Sequence, residues 1–351
     1  HRGVHTLSQE ATDKYEAARH TIKKHFNAKH AHEIIYTAGT THSINIVAHG
    51  FSKLLKQGDE VIVSALEHHS NIVPWQMLRD RIGIKIDVCP LTEEGRIDLD
   101  AAEAMLTDQH KLVALAHVSN VLGSVLDAKR AAKLAQSVGA KLLLDGCQAV
   151  PHMPVDMADL DCDFYVFSGH KLYGPTGIGV LWARAELLET MPPWQGGGAM
   201  IDRVTFDRTT YAPPPGRFEA GTPAISEVIA LAAAIEYVQA VGLPAMHAHE
   251  LALVRQTREA LRQINWLRTG EEYVETGHDL RSRWRKWVKE IAVAISNLTE
   301  DDLRTTVEMF STDEEAEDLL VQINALVRME EDGQVRGATM FSKEQLRTLC
   351  L

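Results

Sequence analysis

Phe164-Tyr-Val-Phe-Ser-Gly-His-Lys-Leu-Tyr-Gly-Pro175 joins an apolar run to a lysine set in a turn of small residues. The run is short, β-branched and aromatic, and glycine and proline close it off. It therefore reads as a strand buried on both faces. Lys141-Leu-Leu-Leu-Asp145 is a second run of this kind, and it ends in an acid. An acid and an amine at the carboxyl ends of two buried strands occupy the edge of an α/β sheet where ligands bind.

The same rhythm extends in both directions. Strands are predicted at 33–37, 60–64, 85–90, 112–118, 141–145, 164–168 and 177–183, with helical patterns at 41–55, 100–106 and 127–139 between them. Alternating strands and helices predict an α/β fold, a mostly parallel sheet covered by helices on both faces. Residues 192–216, rich in proline and glycine, read as a long irregular excursion. Helices follow at 225–241 and 245–264, broken at Gly242-Leu-Pro244. After residue 265 strand signals are few, and helices are predicted at 284–298 and 313–329. The expected organisation is a large domain over 1–240 and a smaller, incomplete C-terminal α+β domain over 241–351, atypical after 265.

Bulk properties narrow the function classes. The chain has 351 residues, 45% hydrophobic and 24% charged, as in an ordinary globular protein. A net charge of −12, with no basic arm, argues against nucleic acid. No stretch approaches the roughly 18 apolar residues of a membrane span, so no membrane partner is expected. Residues 1–8 carry no signal-peptide pattern. Four scattered cysteines, Cys89, Cys147, Cys162 and Cys350, form no framework and read as reduced thiols of a cytoplasmic protein.

Lys171 follows a buried strand, where solvated lysines are uncommon. A desolvated amine can form an imine with a carbonyl cofactor. Asp145 could hold a pyridine nitrogen protonated, and together the two residues suit pyridoxal 5′-phosphate. Gly39-Thr-Thr41 stands between a strand and a helix, where the Thr40 and Thr41 hydroxyls and free amides suit a phosphate. Without the lysine it would read as an ordinary helix cap. His68, in Glu67-His-His-Ser-Asn71, could lie on an aromatic ring and assist proton transfer. The paired histidines lack the framework of a metal site, and no metal is expected. Asn120 and Gln148 can donate to a phenolic oxygen, and Ser168 and His170 complete a phosphate cup. Each alone is also an ordinary polar loop residue.

These segments, together with 1–8, 117–123, 145–150, 161–179, 192–198 and 217–223, resemble the group II cysteine desulfurases of the SufS/CsdA type. These are fold-type I, aminotransferase class V pyridoxal phosphate enzymes. The resemblance covers residues 1 to about 264. It implies a homodimer that removes sulfur from L-cysteine, or selenium from L-selenocysteine, giving L-alanine for iron–sulfur cluster assembly with a sulfur-acceptor protein. It makes Lys171 the lysine that carries the cofactor aldehyde and the catalytic base, and Asp145 the partner of the ring nitrogen. His68 would stack on the ring, Gln148 would meet the phenolic oxygen, and Asn120 would lie near ring and substrate. Thr40, Ser168 and His170 would bind the phosphate, and Thr222 would reach the phosphate of the neighbouring subunit. Arg304, in a segment similar to the family's carboxylate clamp, would bind the substrate carboxylate.

Two family parts are not read here. Members carry a few dozen residues before the stretch matching 1–8. Their persulfide cysteine lies in an Arg-Thr-Gly-His-His-Cys loop, whereas Arg268-Thr-Gly270 is followed here by Glu271-Glu-Tyr-Val, and no cysteine lies between Cys162 and Cys350. Cys147 is expected to sit against the sheet as a small core residue. Cys89 and Cys162 read as strand-associated core thiols and Cys350 as next to the C-terminus. Another class V lyase or transaminase, or a catalytically impaired pyridoxal phosphate scaffold, are the competing readings.

Overall fold

Residues alternate between two cores along the central strands. In the computed structural model, which describes residues 3–262, β5 (Lys141–Asp145) and β6 (Phe164–Ser168) pair in parallel. Leu142, Leu144, Tyr165 and Phe167 point to one face, and Leu143, Phe164 and Val166 to the other. The two-residue period of a strand therefore feeds apolar side chains to both sides, as a helix-covered sheet requires.

The sheet has seven strands in the order β1-β7-β6-β5-β4-β2-β3. The remaining strands are β1 (Ile34–Thr37), β2 (Glu60–Ser64), β3 (Lys85–Cys89), β4 (His110–Ala116) and β7 (Gly179–Ala183). Only β7 runs against its neighbours. The mostly parallel α/β sheet expected from the sequence is thus found, with all seven strands within two residues of their predicted bounds. One face packs α1 (Thr6–His25), α4 (Leu99–Met105), α5 (Ala128–Ser137) and α8 (Ile225–Val241). The other packs α2 (Thr40–Phe51), α3 (Val73–Ile82) and α7 (Ala185–Thr190). A short α6 (Met157–Leu160) precedes β6. The carboxyl ends of β1, β2, β4, β5 and β6 converge on one edge, and every candidate site residue up to position 171 follows one of them.

The structure departs from expectation in the proline–glycine region. Residues 192–216 contain a two-stranded antiparallel hairpin, β8 (Ile201–Val204) and β9 (Thr209–Tyr211). Val204 and Tyr211 are exposed there, and Phe206 in the connecting turn is fully exposed. The break after α8 falls at Gly242, whose φ of 87° lies in the left-handed region that ends helices, and α9 (Leu243–Arg262) starts at the next residue. Contacts divide the chain into two units at Thr257/Arg258. Apart from the end of α9, the second unit lies outside the described residues. So do the expected helices at 284–298 and 313–329, and Arg304. Among the described residues, no single helix is long and apolar enough to cross a membrane.

Candidate active site

The anion cup is built by three strand ends. β1 delivers Gly39 and Thr40, β6 delivers Ser168, and β7 begins between them at Gly179, paired with both Thr37 and Ser168. The Thr40 amide donates to Ser168 Oγ at 2.9 Å, and the two hydroxyl oxygens lie 3.0 Å apart. Gly39 caps α2 without a side-chain hydrogen bond, so first-turn amides have no intrahelical partner. Convergent hydroxyls and free amides at a positive helix end suit a phosphate-sized anion. Gly179 makes this approach feasible. A Cβ there would stand 2.5 Å from Gly39 Cα and 2.8 Å from the Phe167 carbonyl. Both obstacles are backbone, so neither can swing aside. Gly179→Ala is expected to destabilise the protein by about 1–3 kcal/mol, the usual cost of overpacking, and to weaken anion binding at the cup. An unchanged denaturant midpoint would contradict this.

Asp145 ends β5 and is buried. Its Oδ1 accepts the Cys147 amide at 3.0 Å. Desolvation raises its pKa, while the positive charges of His68 and Lys171 pull it back down. The acid, the imidazole and the amine therefore share one electrostatic neighbourhood. Lys171 is half-buried in a 3-10 turn, Gly169–Leu172, directly after β6. His68 is exposed, and its Nδ1 accepts the Ser70 amide at 3.2 Å and lies 2.8 Å from Ser70 Oγ.

Beneath Asp145 the fold is tightly constrained. The His117 amide donates to the Asp145 carbonyl, and His117 Nδ1 lies 2.9 Å from the Tyr165 hydroxyl. Burial pushes His117 down to about 4, which keeps it neutral. A Cβ on Gly146 would meet the Tyr165 ring at 2.1 Å, so the turn after Asp145 needs glycine for that contact.

Glu67 was not singled out by sequence reasoning. It is buried, and burial pushes its pKa to about 7 against three hydrogen-bond donors. The signal was present in Glu67-His-His-Ser-Asn71-Ile-Val-Pro-Trp75, where Glu67, Asn71 and Trp75 recur every four residues.

The remaining expected site residues are placed as follows. Thr41 and His170 are exposed beside the cup, Asn120 is exposed in the turn after β4, and Gln148 is half-buried after β5. Thr222 is exposed in the segment after Phe218. Cys147 does not sit against the sheet as expected. Its Sγ lies 2.8 Å from Thr40 Oγ1, so the thiol joins the cup. Burial and the Asp145 charge push it up to about 12. Burial also raises Cys89, to about 11, and Cys162. A separate group, Glu60, Asp87 and His110, sits at the opposite ends of the strands. It is occupied by Lys85, on Glu60 at 3.0 Å, and by the Thr107 amide, on His110 at 3.1 Å.

Comparison with known proteins agrees with the fold. A cysteine desulfurase of Dickeya dadantii is 48% identical over 270 residues, which is 76% of this chain and 66% of that protein. One of Serratia proteamaculans is 50% identical over 266 residues, 75% of this chain and 66% of the relative. The crystal structure of the cysteine desulfurase CsdA from Escherichia coli matches with a TM-score of 0.71 at 42% identity. It covers 75% of this chain and 66% of that one. The matched part thus spans about two thirds of the length of these relatives. The aminotransferase class-V model matches residues 1–279. Matched by the family model over most of its length and by these relatives, the chain belongs to the aminotransferase class-V family.

Proposed function

We propose that this chain binds pyridoxal 5′-phosphate and acts on L-cysteine or L-selenocysteine to release L-alanine. What supports the reading is the buried acid Asp145, within electrostatic reach of both His68 and Lys171, on the strand-end edge that also carries the Thr40–Ser168 cup. These residues fit the cofactor. The buried carboxylate offers an anion for a protonated ring nitrogen, the cup offers hydroxyls and amides for a phosphate, and Lys171 offers the amine. When bound, the cofactor supplies an electrophilic aldehyde and an electron-withdrawing ring. Thr40, Ser168 and His170 would hold the phosphate, with Thr41 at the rim, and Asp145 the ring nitrogen. His68 would cover the ring, and Gln148 and Asn120 would orient the phenolic oxygen and the substrate. Lys171 Nζ would take the substrate α-proton and return it. Arg304 is proposed for the substrate carboxylate, and Thr222, exposed on its loop, for the phosphate of a second subunit in a homodimer. A role in iron–sulfur cluster assembly with a sulfur-acceptor protein belongs to the same reading. So does a cytoplasmic setting, supported by the free thiols Cys89, Cys147 and Cys162.

One observation sets the two substrates apart. Sulfur transfer needs a thiolate, and burial raises the pKa of each of these three thiols. Selenium leaves carbon more readily and depends less on such a thiolate. The purified chain loaded with pyridoxal phosphate is therefore expected to give alanine and elemental selenium from L-selenocysteine, the selenium appearing as selenide only where an external thiol is supplied to reduce it. From L-cysteine it should give alanine chiefly when an external thiol is supplied. Alanine from neither substrate would reject the proposal.

A further inference from the structure

The segment that carries His68 is tied down by its neighbour. Glu67 Oε1 accepts Ser64 Oγ at 2.5 Å, from the end of β2, and the Ala116 amide at 2.9 Å, from the end of β4. Oε2 accepts Asn71 Nδ2 at 2.7 Å, and Asn71 Oδ1 in turn accepts Trp75 Nε1 at 3.1 Å. Ser64, Asn71 and Trp75 are all essentially inaccessible to solvent. This chain has a fixed direction. An indole nitrogen only donates, so Asn71 must present its oxygen to Trp75 and its NH2 to Glu67. Glu67 must then accept at both carboxyl oxygens, a task suited to a carboxylate.

The geometry points to Glu67 as a positioning residue, one that clamps the His68 segment across the ends of β2 and β4 and so holds the imidazole in place for the cofactor ring. The assignment rests on the pyridoxal phosphate reading for its consequence, but not for the clamp itself. The two strand ends that Glu67 bridges lead directly into the His68 turn and into the His117–Asn120 loop. Glu67 also lies close enough to Asp145 to feel its charge. A carboxylate serving only the core would have no reason to span the two strand ends that deliver site residues.

Glu67→Gln breaks the clamp with one atom exchanged. At the Oε2 position the new NH2 faces the NH2 of Asn71, and turning Asn71 over would set its NH2 against the Trp75 indole; at the Oε1 position the new NH2 faces the Ala116 amide instead. One buried donor is orphaned either way. Hydrogen–deuterium exchange on the full chain without added cofactor is expected to quicken about tenfold at residues 65–72. That is the population shift of one unsatisfied buried donor, and exchange in β5 and β6 should be unchanged. In an absorbance titration, the dissociation constant for pyridoxal phosphate is expected to rise by a similar factor, roughly tenfold. In a His68→Ala background the same substitution should add nothing, because the residue acts through His68. Where E67Q does not fold, Glu67→Asp, which keeps the charge but retracts it, should show the same local pattern more weakly.

Unchanged exchange at 65–72, exchange that quickens throughout the sheet, or additive effects in the E67Q/H68A double variant would overturn the assignment. If the unsubstituted chain takes up no pyridoxal phosphate, the proposed function fails and the exchange experiment alone decides the clamp.

Discussion

Lys171→Ala is expected to abolish the visible absorbance that the chain gains with pyridoxal phosphate and to remove turnover of L-selenocysteine. The loss should be about a millionfold, the scale seen when a covalent nucleophile is removed. The expectation rests on position. Lys171 is half-buried one turn beyond β6, and its charge reaches both Asp145 and Cys147. Among the described residues, no hydrogen bond or ion pair of its side chain is seen, so the fold there does not depend on it. The variant should therefore fold with an unfolding free energy within about 0.5 kcal/mol of the parent's, as for substitutions outside packed cores. Removing the amine also removes a charge that holds the Asp145 pKa down, so the acid should hold its proton to higher pH in the variant. A full absorbance in Lys171→Ala would mean that another amine carries the cofactor, and the reading of the octapeptide would be wrong. Binding that persists without that absorbance would instead locate phosphate recognition at Thr40 and Ser168, independent of the lysine.

The sheet was legible because its strands are short apolar runs ended by turn residues. That pattern is local, and burial on both faces makes it continuous. Asp145 and Lys171 were legible for the same reason, since each follows such a run. What escaped depended on contacts distant in sequence. Helix α1 buries only Tyr15, Ala18 and Ile22 with Ser8 and Arg19, a stripe too thin to stand out among polar residues. The hairpin at 201–211 exposes most of its side chains, so it carries no burial alternation to read. Cys147 was assigned to the core from its place behind a buried strand. Its direction is set instead by the turn at Gly146, where the Tyr165 ring fills the space below and Thr40 offers a partner 107 residues away. Glu67 was quoted with its neighbours but given no role, because its burial depends on β4, which no local pattern around residue 67 reveals.

Breaking the pair between Arg19 and Glu219 is expected to cost about 3–5 kcal/mol, the range for leaving one partner of a buried ion pair uncompensated. The guanidinium meets the carboxylate with two parallel hydrogen bonds of 2.9 Å, and the two side chains are 8% and 13% exposed. Arg19 also donates to the Ile34 carbonyl and lies 4.0 Å over the Tyr36 ring, while Glu219 Oε1 accepts the Tyr36 amide at 2.7 Å. The pair therefore ties α1 to β1 and to the segment that runs on to Thr222. β1 is an edge strand, so its outward carbonyl and amide at Ile34 and Tyr36 have no strand partner on that side, and the ion pair serves both. Glu219→Ala strands a buried cation, and Arg19→Met strands a buried anion. Each should lower the denaturant midpoint substantially. The double variant Arg19→Met with Glu219→Leu should recover part of the loss, because no buried charge then lacks its partner. Recovery should be incomplete, since Ile34 and Tyr36 still lose their partners. Single variants that cost less than about 1 kcal/mol would place the pair with the weak surface bridges. The effect should also reach the site. With Glu219 freed, the 219–222 segment loses its anchor to β1, and a Thr222 that serves a neighbouring subunit would do so from a looser loop. Weaker pyridoxal phosphate retention in Glu219→Ala, measured under conditions where the variant remains folded, is the expected signature. Retention equal to the parent would separate this ion pair from the site and leave it a role in stability alone.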